Sequence, residues 1–242
     1  MTNAPSAIVM AAGQGIGAGI ARHLHSVGYR LVLLANDDGA QTLAAELGAV
    51  GLKGSVTSVE DIDGAVRTAL EAFGRIDLVV NNTGHVAIGE LLATSDDDWH
   101  GGLDLILLNV IRMARAVTPV MERQGGGTIV NISTYSVGQP FPIASVSEAL
   151  RSALGAWMKM YADTYGPKGI RMNNVLPGWF DNTAGRAGDR FIENIPLRRL
   201  GLMSELGGLI AFLASPAGAY ITGQNLRVDG GLARPMSAIP LR

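Results

Sequence analysis

The sequence predicts an α/β fold: a single doubly wound domain whose parallel seven-stranded sheet carries helices on both faces. Three observations support this prediction. Short apolar runs alternate with segments in which apolar residues have helical spacing, and this alternation implies right-handed crossovers. A glycine-rich turn joins the first run to the first helix. No repeat, linker or second core interrupts residues 1–242, so one domain accounts for the whole chain.

The apolar runs and the periodic segments follow one another along the chain. The predicted strands are 6–12, 30–36, 49–57, 77–84, 127–133, 169–178 and 225–231. The first predicted helix follows the turn within 13–28, and the others are 38–48, 58–73, 95–122 and 147–165, with Ser95 as the N-cap of the long fourth helix. In a fold of this class, ligands bind outside the carboxyl ends of the strands.

Composition narrows the class of protein. Hydrophobic residues make up 48% of the chain and charged residues 17%, so part of the apolar excess is expected between the subunits of a dimer or tetramer. The absence of Cys excludes disulfides and zinc–thiolate sites, and we predict no metal site. A net charge of −2 without a basic block argues against nucleic acid binding. Residues 1–10 lack the features of a signal peptide and no apolar run reaches about 18 residues, so we expect a cytoplasmic protein without a membrane span.

The glycine-rich turn at residues 11–19 reads AAGQGIGAG. Glycine lets the backbone turn tightly and approach a pyrophosphate, which then lies at the N-terminus of the following helix. Counted from Gly13, the spacing of small residues fits the general dinucleotide-binding pattern. Counted from Ala11, it fits a longer-spaced version of that pattern. Such a turn can also serve only to pack a helix closely on a strand, but its place before an amphipathic helix favours nucleotide binding in a Rossmann-like domain. The predicted contacts in this turn are Ala11, Gly13, Gly15, Ile16 and Gly17.

The end of the second strand bears on the choice between NAD(H) and NADP(H). An acid at this point binds the ribose 2′-hydroxyl, whereas an arginine accepts a 2′-phosphate. The run here is Ala35, Asn36, Asp37 and Asp38, with two acids and no base. We therefore predict contacts from Asn36 and Asp37 and favour NAD(H). The alternative is that both aspartates only cap the next helix.

Several stretches stand out in order along the chain. They are GIG at 15–17, NNTG at 81–84, Asn109, GTIVNIS at 127–133, PKGIRMNNVLPG at 167–178 and YITGQNLRVDGG at 220–231. Together they resemble the short-chain dehydrogenase/reductase family from end to end. The resemblance implies a nicotinamide cofactor and a small-molecule carbonyl or alcohol substrate. It also implies further cofactor contacts at Val56, Asn81, Gly84, Arg151, Pro177 and Gly178.

The resemblance further implies a catalytic Ser, which is Ser133, and an Asn that holds a water, which is Asn109. The family's proton donor is a Tyr, with a Lys one helical turn later. The family's spacing places Ser147 at the Tyr position and Arg151 at the Lys position, and no Tyr-x-x-x-Lys occurs anywhere in the chain. An Arg can still bind ribose hydroxyls, but it stays protonated and shuttles no proton.

Three substitutes for the missing phenol are candidates. Tyr135 lies two residues after Ser133; its alternative role is a wall of the substrate pocket. His85 directly follows NNTG and can act as a general acid or base; its alternative is an exposed loop residue. In the third, Ser133 and a water held through Asn109 deliver the proton while the charge of Arg151 stabilises developing negative charge.

The favoured function is hydride transfer between a nicotinamide cofactor and a carbonyl or alcohol, with a non-standard proton donor. One alternative is a catalytically silent, nucleotide-binding homologue that acts as a sensor or partner subunit. Another is a non-redox lyase or dehalogenase-like enzyme that uses Ser133 and Arg151, since an Arg at the Lys position is similar to the halohydrin dehalogenases. We expect residues 181–199 to form a lid over the substrate and Trp179 and Phe180 to line its entrance.

Overall fold

The computed structural model describes residues 4–183 and 192–233. The strands in these ranges form one parallel sheet in the order β3-β2-β1-β4-β5-β6-β7. They are β1 Ser6–Met10, β2 Arg30–Ala35, β3 Val50–Lys53, β4 Leu78–Asn81, β5 Gly127–Ile132, β6 Ile170–Pro177 and β7 Asn225–Val228. The predicted parallel, doubly wound sheet is confirmed, and each predicted strand contains an observed one.

Helices cover both faces of this sheet. They are α1 Gly15–Ser26, α2 Gly39–Leu47, α3 Val59–Phe73, α4 Asp96–Gly102, α5 Asn109–Arg123, α6 Ser145–Tyr165 and α7 Met203–Ala214. One apolar core lies between the sheet and the face formed by α1, α2 and α7, and a second lies under α3, α5 and α6. The sequence analysis did not predict α7. In the described ranges, no helix is both long and apolar enough to cross a membrane.

The long fourth predicted helix is helical throughout but irregular at its centre. Ser95 caps it as predicted, because its hydroxyl accepts from the amide of Asp98 at 3.2 Å while the Asp98 carboxylate accepts from the amide of Ser95. A π-helical segment, Leu103–Leu108, then joins α4 to α5. A π segment offsets the following residues relative to a regular α-helix. Asn109 therefore begins α5, and its Nδ2 donates to the carbonyl of Leu105 at 2.5 Å.

A row of asparagine side chains crosses four neighbouring strands. Asn81, Asn131, Asn174 and Asn225 are register partners on β4, β5, β6 and β7. Each amide nitrogen donates to the next oxygen along the row, at 2.9, 2.9 and 2.8 Å. The row ends at the Oδ1 of Asn81, which is buried and has no hydrogen-bond partner in the described ranges. These side chains fix the register of the half of the sheet that carries the predicted catalytic serine.

The segment after β6 partly coincides with the predicted lid. Of residues 181–199, positions 184–191 lie outside the described residues. Phe180 pairs with Gly201 as an isolated bridge and is 2% exposed. A Cβ on Gly201 would lie only 2.6 Å from the Phe180 ring, so that ring is packed into the core. Phe180 nevertheless lines a small pocket together with Trp179, and the expectation that these two residues line the substrate entrance stays a prediction.

Candidate active site

The turn between β1 and α1 is built for close backbone contact. Ala11 has φ +47°, in the left-handed region, and its carbonyl accepts from the Nδ2 of Asn82 at 3.1 Å. A Cβ on Gly17 would lie 2.2 Å from that same carbonyl oxygen. Gly15 also has a positive φ, +56°. Gly17 is thus required because a side chain would clash with the backbone, and Gly15 because its φ is positive. The turn places the N-terminus of α1 at the carboxyl edge of the sheet.

An acidic corner lies beside this turn. The Oδ1 of Asp37 accepts from the amide of Gly39 at 3.0 Å, and a Cβ on Gly13 would lie 2.7 Å from that oxygen. Asp38 makes no side-chain cap on α2 but pairs with Lys53 at 2.8 Å. The expectation that no base lies here is wrong, because Lys53 comes from β3, where it is the register partner of Ala35. The lysine is engaged by Asp38, and the Asp37 carboxylate remains beside the turn.

The other predicted cofactor contacts lie at the same edge, because the carboxyl ends of parallel strands meet there. Val56 follows β3 and is 8% exposed; Gly84 follows β4 and is exposed. Thr83 directly precedes Gly84, and its hydroxyl is buried without a hydrogen-bond partner in the described part of the chain. Pro177 ends β6, and a Cβ on Gly178 would lie 2.7 Å from the Cα of Asp229. The N-terminus of α1, the glycines of the turn and the carboxylate of Asp37 together fit a bound dinucleotide.

Ser133 directly follows β5. Its amide donates to the carbonyl of Val175 at 2.8 Å, which fixes its backbone. The residue is 6% exposed, and its hydroxyl is buried with no hydrogen-bond partner in the described ranges. A buried hydroxyl with unused hydrogen-bonding capacity is costly unless a ligand completes it. The predicted catalytic serine therefore has a buried hydroxyl with unused hydrogen-bonding capacity.

Ser147 and Arg151 lie one turn apart on α6, as predicted. The Nε of Arg151 donates to the hydroxyl of Ser147 at 3.2 Å, and its Nη1 donates to the carbonyl of Ile132 at 2.7 Å. Burial lowers the pKa of Arg151 to about 10, against the raising effect of Glu148. The guanidinium is therefore still charged at neutral pH. It holds the residue immediately before Ser133.

Glu148 lies between these two residues on α6 and was not among the residues predicted from the sequence. It is 5% exposed, and its Oε1 accepts from the hydroxyl of Ser136 at 2.5 Å. Its Oε2 is buried without a hydrogen-bond partner in the described ranges. Burial raises the pKa of Glu148, opposed by the Ser136 hydrogen bond and the charge of Arg151. A signal was present, because Glu148 is the only acid between Glu122 and Asp163.

The two remaining proton-donor candidates lie on neighbouring loops. Tyr135 is half-buried at the start of a 3-10 turn, Tyr135–Gly138, and its ring meets Phe141 edge-on with centroids 6.3 Å apart. His85 is exposed in the irregular segment after β4. That segment touches the loop before α6, because the amide of Gly89 donates to the carbonyl of Ile143 at 2.9 Å. Asn109 is buried, and its amide nitrogen is already bonded within its own helix.

Comparisons with known proteins agree with this geometry. The family model described as enoyl-(acyl carrier protein) reductase matches residues 10–233. A 3-oxoacyl-[acyl-carrier-protein] reductase from Synechocystis is 32% identical over 93% of this chain and 96% of its own length. The oxidoreductase UcpA from Salmonella typhimurium is 34% identical, with coverage of 96% and 95%.

A solved structure is similar over nearly the whole fold. It is the crystal structure of a 3-ketoacyl-(acyl-carrier-protein) reductase from Brucella melitensis in complex with NADH. It superposes with a TM-score of 0.88 at 26% identity and covers 94% of this chain and 98% of that one. A doubly wound domain with a nucleotide turn and a serine after β5 defines a dinucleotide-binding oxidoreductase class. Within it, this chain belongs to the short-chain dehydrogenase/reductase family, as the sequence analysis predicted.

Proposed function

We propose that the protein is an NAD(H)-dependent oxidoreductase that interconverts a carbonyl and an alcohol, with Ser147 and Arg151 at the positions where the family has its Tyr and Lys. The observation that carries the proposal is the orphaned hydroxyl of Ser133, at the same sheet edge as an intact nucleotide turn. The Synechocystis relative and the Brucella melitensis structure are named as 3-oxoacyl and 3-ketoacyl reductases, which makes a 3-oxo carbonyl the first substrate class to test.

In this proposal, different residues bind the cofactor, orient the substrate and stabilise charge. A bound nicotinamide supplies the hydride chemistry. The turn at Gly13–Gly17 and the acid Asp37 hold and orient the nucleotide, and the hydroxyl of Ser133 orients the substrate oxygen. The fixed charge of Arg151 stabilises negative charge that develops on that oxygen, because a guanidinium stays protonated at neutral pH.

Tyr135 is our preferred proton donor. It brings a phenol to the loop that directly follows Ser133 and lies on the substrate side of the sheet. Ser147 is a weaker candidate: its oxygen accepts from Arg151, which leaves its own proton free to donate, but a serine is a poor acid without a base. His85 remains a third candidate on its exposed loop. We also propose residues 181–199 as the lid of one domain that spans residues 1–242.

The test starts with binding and then turns to chemistry. NADH, and more weakly NADPH, should raise the melting temperature, because a ligand that binds only the folded state stabilises it. A panel of 3-oxo esters and other carbonyls should then oxidise NADH. Tyr135→Phe should lower kcat by about 100-fold or more, the usual size of a general-acid effect. His85→Gln is the matched comparison; near-normal turnover in Tyr135→Phe would remove Tyr135 from the mechanism.

A catalytically silent, nucleotide-binding homologue is the second candidate. The observation that favours it is the engagement of the guanidinium of Arg151 with the carbonyl of Ile132 and with Ser147, both within the protein. This candidate predicts the same thermal shift with NADH but no NADH oxidation with any carbonyl of the panel. Detectable turnover above that of a Ser133→Ala variant eliminates it.

We further propose association of identical subunits through α5 and α6. A groove of about 640 Å³ lies between these helices, and Trp157, Tyr161 and Tyr165 line it. Met160, at its edge, is 60% exposed. A second copy would cover this apolar surface, in line with the apolar composition of the chain. Light scattering should give a dimer or tetramer, and Met160→Asp should shift it towards the monomer; an unchanged mass in that variant counts against this interface.

A further inference from the structure

Helix α6 holds the loop after β5 at two points. At the first, the Nη1 of Arg151 donates to the carbonyl of Ile132 at 2.7 Å. At the second, the hydroxyl of Ser136 donates to the Oε1 of Glu148 at 2.5 Å. The second contact is a hydrogen bond between two buried side chains, since Ser136 is 3% exposed and Glu148 is 5% exposed.

The residues between these two contacts are the ones that the proposed reaction needs. Ser133 directly follows Ile132, and Tyr135 directly precedes Ser136. The hydroxyl of Ser136 also shares a 2.9 Å hydrogen bond with the hydroxyl of Thr134. Both neighbours of Tyr135 are therefore connected, directly or through one hydroxyl, to the carboxylate of Glu148.

The cost of placing a carboxylate here argues against a packing role. The Oε2 of Glu148 is buried without a hydrogen-bond partner in the described ranges, and leaving such an atom unsatisfied is destabilising. An apolar side chain of similar size would fill the same space without that cost. What an apolar side chain cannot do is accept a hydrogen bond from Ser136.

The charge of Arg151 supports the same arrangement. Glu148 and Arg151 are three residues apart on α6, and the guanidinium favours the ionised form of the carboxylate. The guanidinium of Arg151 donates its hydrogen bonds to Ile132 and Ser147 rather than to Glu148. The two charged groups thus attract each other while each holds a different end of the loop.

We propose that Glu148 is a positioning residue: through Ser136, and together with Arg151, it fixes the separation and orientation of Ser133 and Tyr135. The catalytic part of this inference rests on the proposed function, whereas the restraint on the loop does not. In this arrangement α6 organises the proposed active site although Ser147, and not a tyrosine, stands at the family's proton-donor position.

The experiment compares four variants of the full-length protein: Glu148→Leu, Glu148→Gln, Ser136→Ala and Ser152→Ala. Ser152→Ala is the control, because Ser152 is exposed on the same helix and, within the described residues, its hydroxyl donates to the backbone carbonyl of Glu148 and to no side chain. Amide hydrogen exchange of residues 132–139 is followed by mass spectrometry. Binding of NADH and NADH-dependent carbonyl reduction are measured in parallel.

Glu148→Leu and Ser136→Ala should each increase exchange in residues 133–138 by about 10-fold or more, the size expected for loss of a hydrogen bond to a charged group. Both should lower kcat by a similar factor and leave the dissociation constant of NADH within about twofold, since the nucleotide turn is untouched. Glu148→Gln should recover most of both properties, because its amide oxygen still accepts from Ser136. Ser152→Ala should match the wild type.

Unchanged exchange in residues 133–138 of both Glu148→Leu and Ser136→Ala would overturn the inference, as would increased exchange with unchanged kcat. Ser136→Ala keeps the test decisive if Glu148→Leu fails to fold. Increased exchange in a protein whose wild type reduces no carbonyl would leave the loop restraint standing and reject the proposed function, so the two failures are distinguishable.

Discussion

The carboxylate of Asp37 lies so close to Gly13 that a Cβ on residue 13 would be 2.7 Å from its Oδ1. The glycine leaves room for the acid beside the nucleotide turn, where the ribose 2′-hydroxyl binds in this class of fold. Lys53, a base at this corner, is held by Asp38 at 2.8 Å. On the proposed function, we expect this corner to accept a ribose hydroxyl in preference to a phosphate.

Asp37→Asn tests this arrangement. The substitution removes the negative charge but keeps a side chain of the same size. We expect the affinity for NADH to fall by about 10- to 100-fold, as for loss of a hydrogen bond to a charged group, and the affinity for NADPH to fall less or to rise. Fluorescence titration with each cofactor measures the ratio. Asp38→Asn is the control, and an unchanged ratio in Asp37→Asn would show that Asp37 only caps α2.

Gly17 offers a steric test of the same turn. A Cβ here would lie 2.2 Å from the carbonyl oxygen of Ala11, which is backbone and cannot move aside without opening the turn. Gly17→Ala should therefore abolish the thermal shift with NADH and lower the melting temperature. Gly64→Ala is the matched control: Gly64 lies within α3, and the nearest atom to its Cβ is the end of Arg67 at 3.7 Å. That control should stabilise the protein by about 0.5–1 kcal/mol and bind NADH normally.

Much of this edge could be predicted from the sequence because it depends on local pattern. Strand spacing and glycine positions determine where Gly17 and Asp37 lie relative to β1 and β2. The positions of Ser147 and Arg151 on one face of α6 also follow from helical spacing. What the pattern could not show are contacts between distant segments. Lys53 reaches Asp38 from the neighbouring strand β3, and Ser136 reaches Glu148 from a loop.

Elements with a weak periodic signal were also missed. Helix α7 reads MSELGGLIAFLA and is apolar almost throughout, so its buried and exposed faces are not separated by sequence. The π segment before Asn109 leaves no mark in composition and adjusts the helix where Gly102 packs closely on α6: a Cβ on Gly102 would lie 2.2 Å from Val146. Both features depend on how helices pack, which a single sequence does not encode locally.

The asparagine row gives a stability prediction. Asn131 is 0% exposed and is bonded on both sides, to Asn81 and to Asn174. Asn131→Ala breaks both bonds and leaves two buried polar atoms without partners, so we expect a loss of about 2–5 kcal/mol in the free energy of unfolding. Asn225→Ala is the control: that residue is exposed at the end of the row and loses one bond, at a cost of about 1 kcal/mol. Urea denaturation measures both, and similar losses would show that the row does not act as a connected unit.

Glu148 makes the stability of the protein depend on pH. Its pKa in the folded protein is raised above the ordinary value of 4.5, because burial disfavours the charged carboxylate. At a pH between 4.5 and the raised pKa, the folded protein binds more protons at Glu148 than the unfolded chain does. The contribution of Glu148 protonation to folding stability is therefore fully present below pH 4.5 and is lost as the pH rises through the raised pKa. Arg151 is the charged group that acts on it, and it keeps its charge throughout this range because its pKa is about 10.

Glu148→Gln removes this titration while keeping the shape of the side chain. Its amide adds a constant cost, since the nitrogen replaces an oxygen that has no partner, but that cost does not vary with pH. We therefore expect the free energy of unfolding of Glu148→Gln, relative to that of the wild type, to increase as the pH is raised from 5 towards 8. Urea denaturation at each pH measures this difference. Glu205→Gln is the control: hydrogen bonds from Arg199 and the amide of Leu202 lower the pKa of Glu205 to about 2, so its contribution changes only below pH 4.5 and the difference from wild type should stay flat from pH 5 to 8. A difference between Glu148→Gln and wild type that stays constant across this range would show that Glu148 does not titrate above its ordinary pKa.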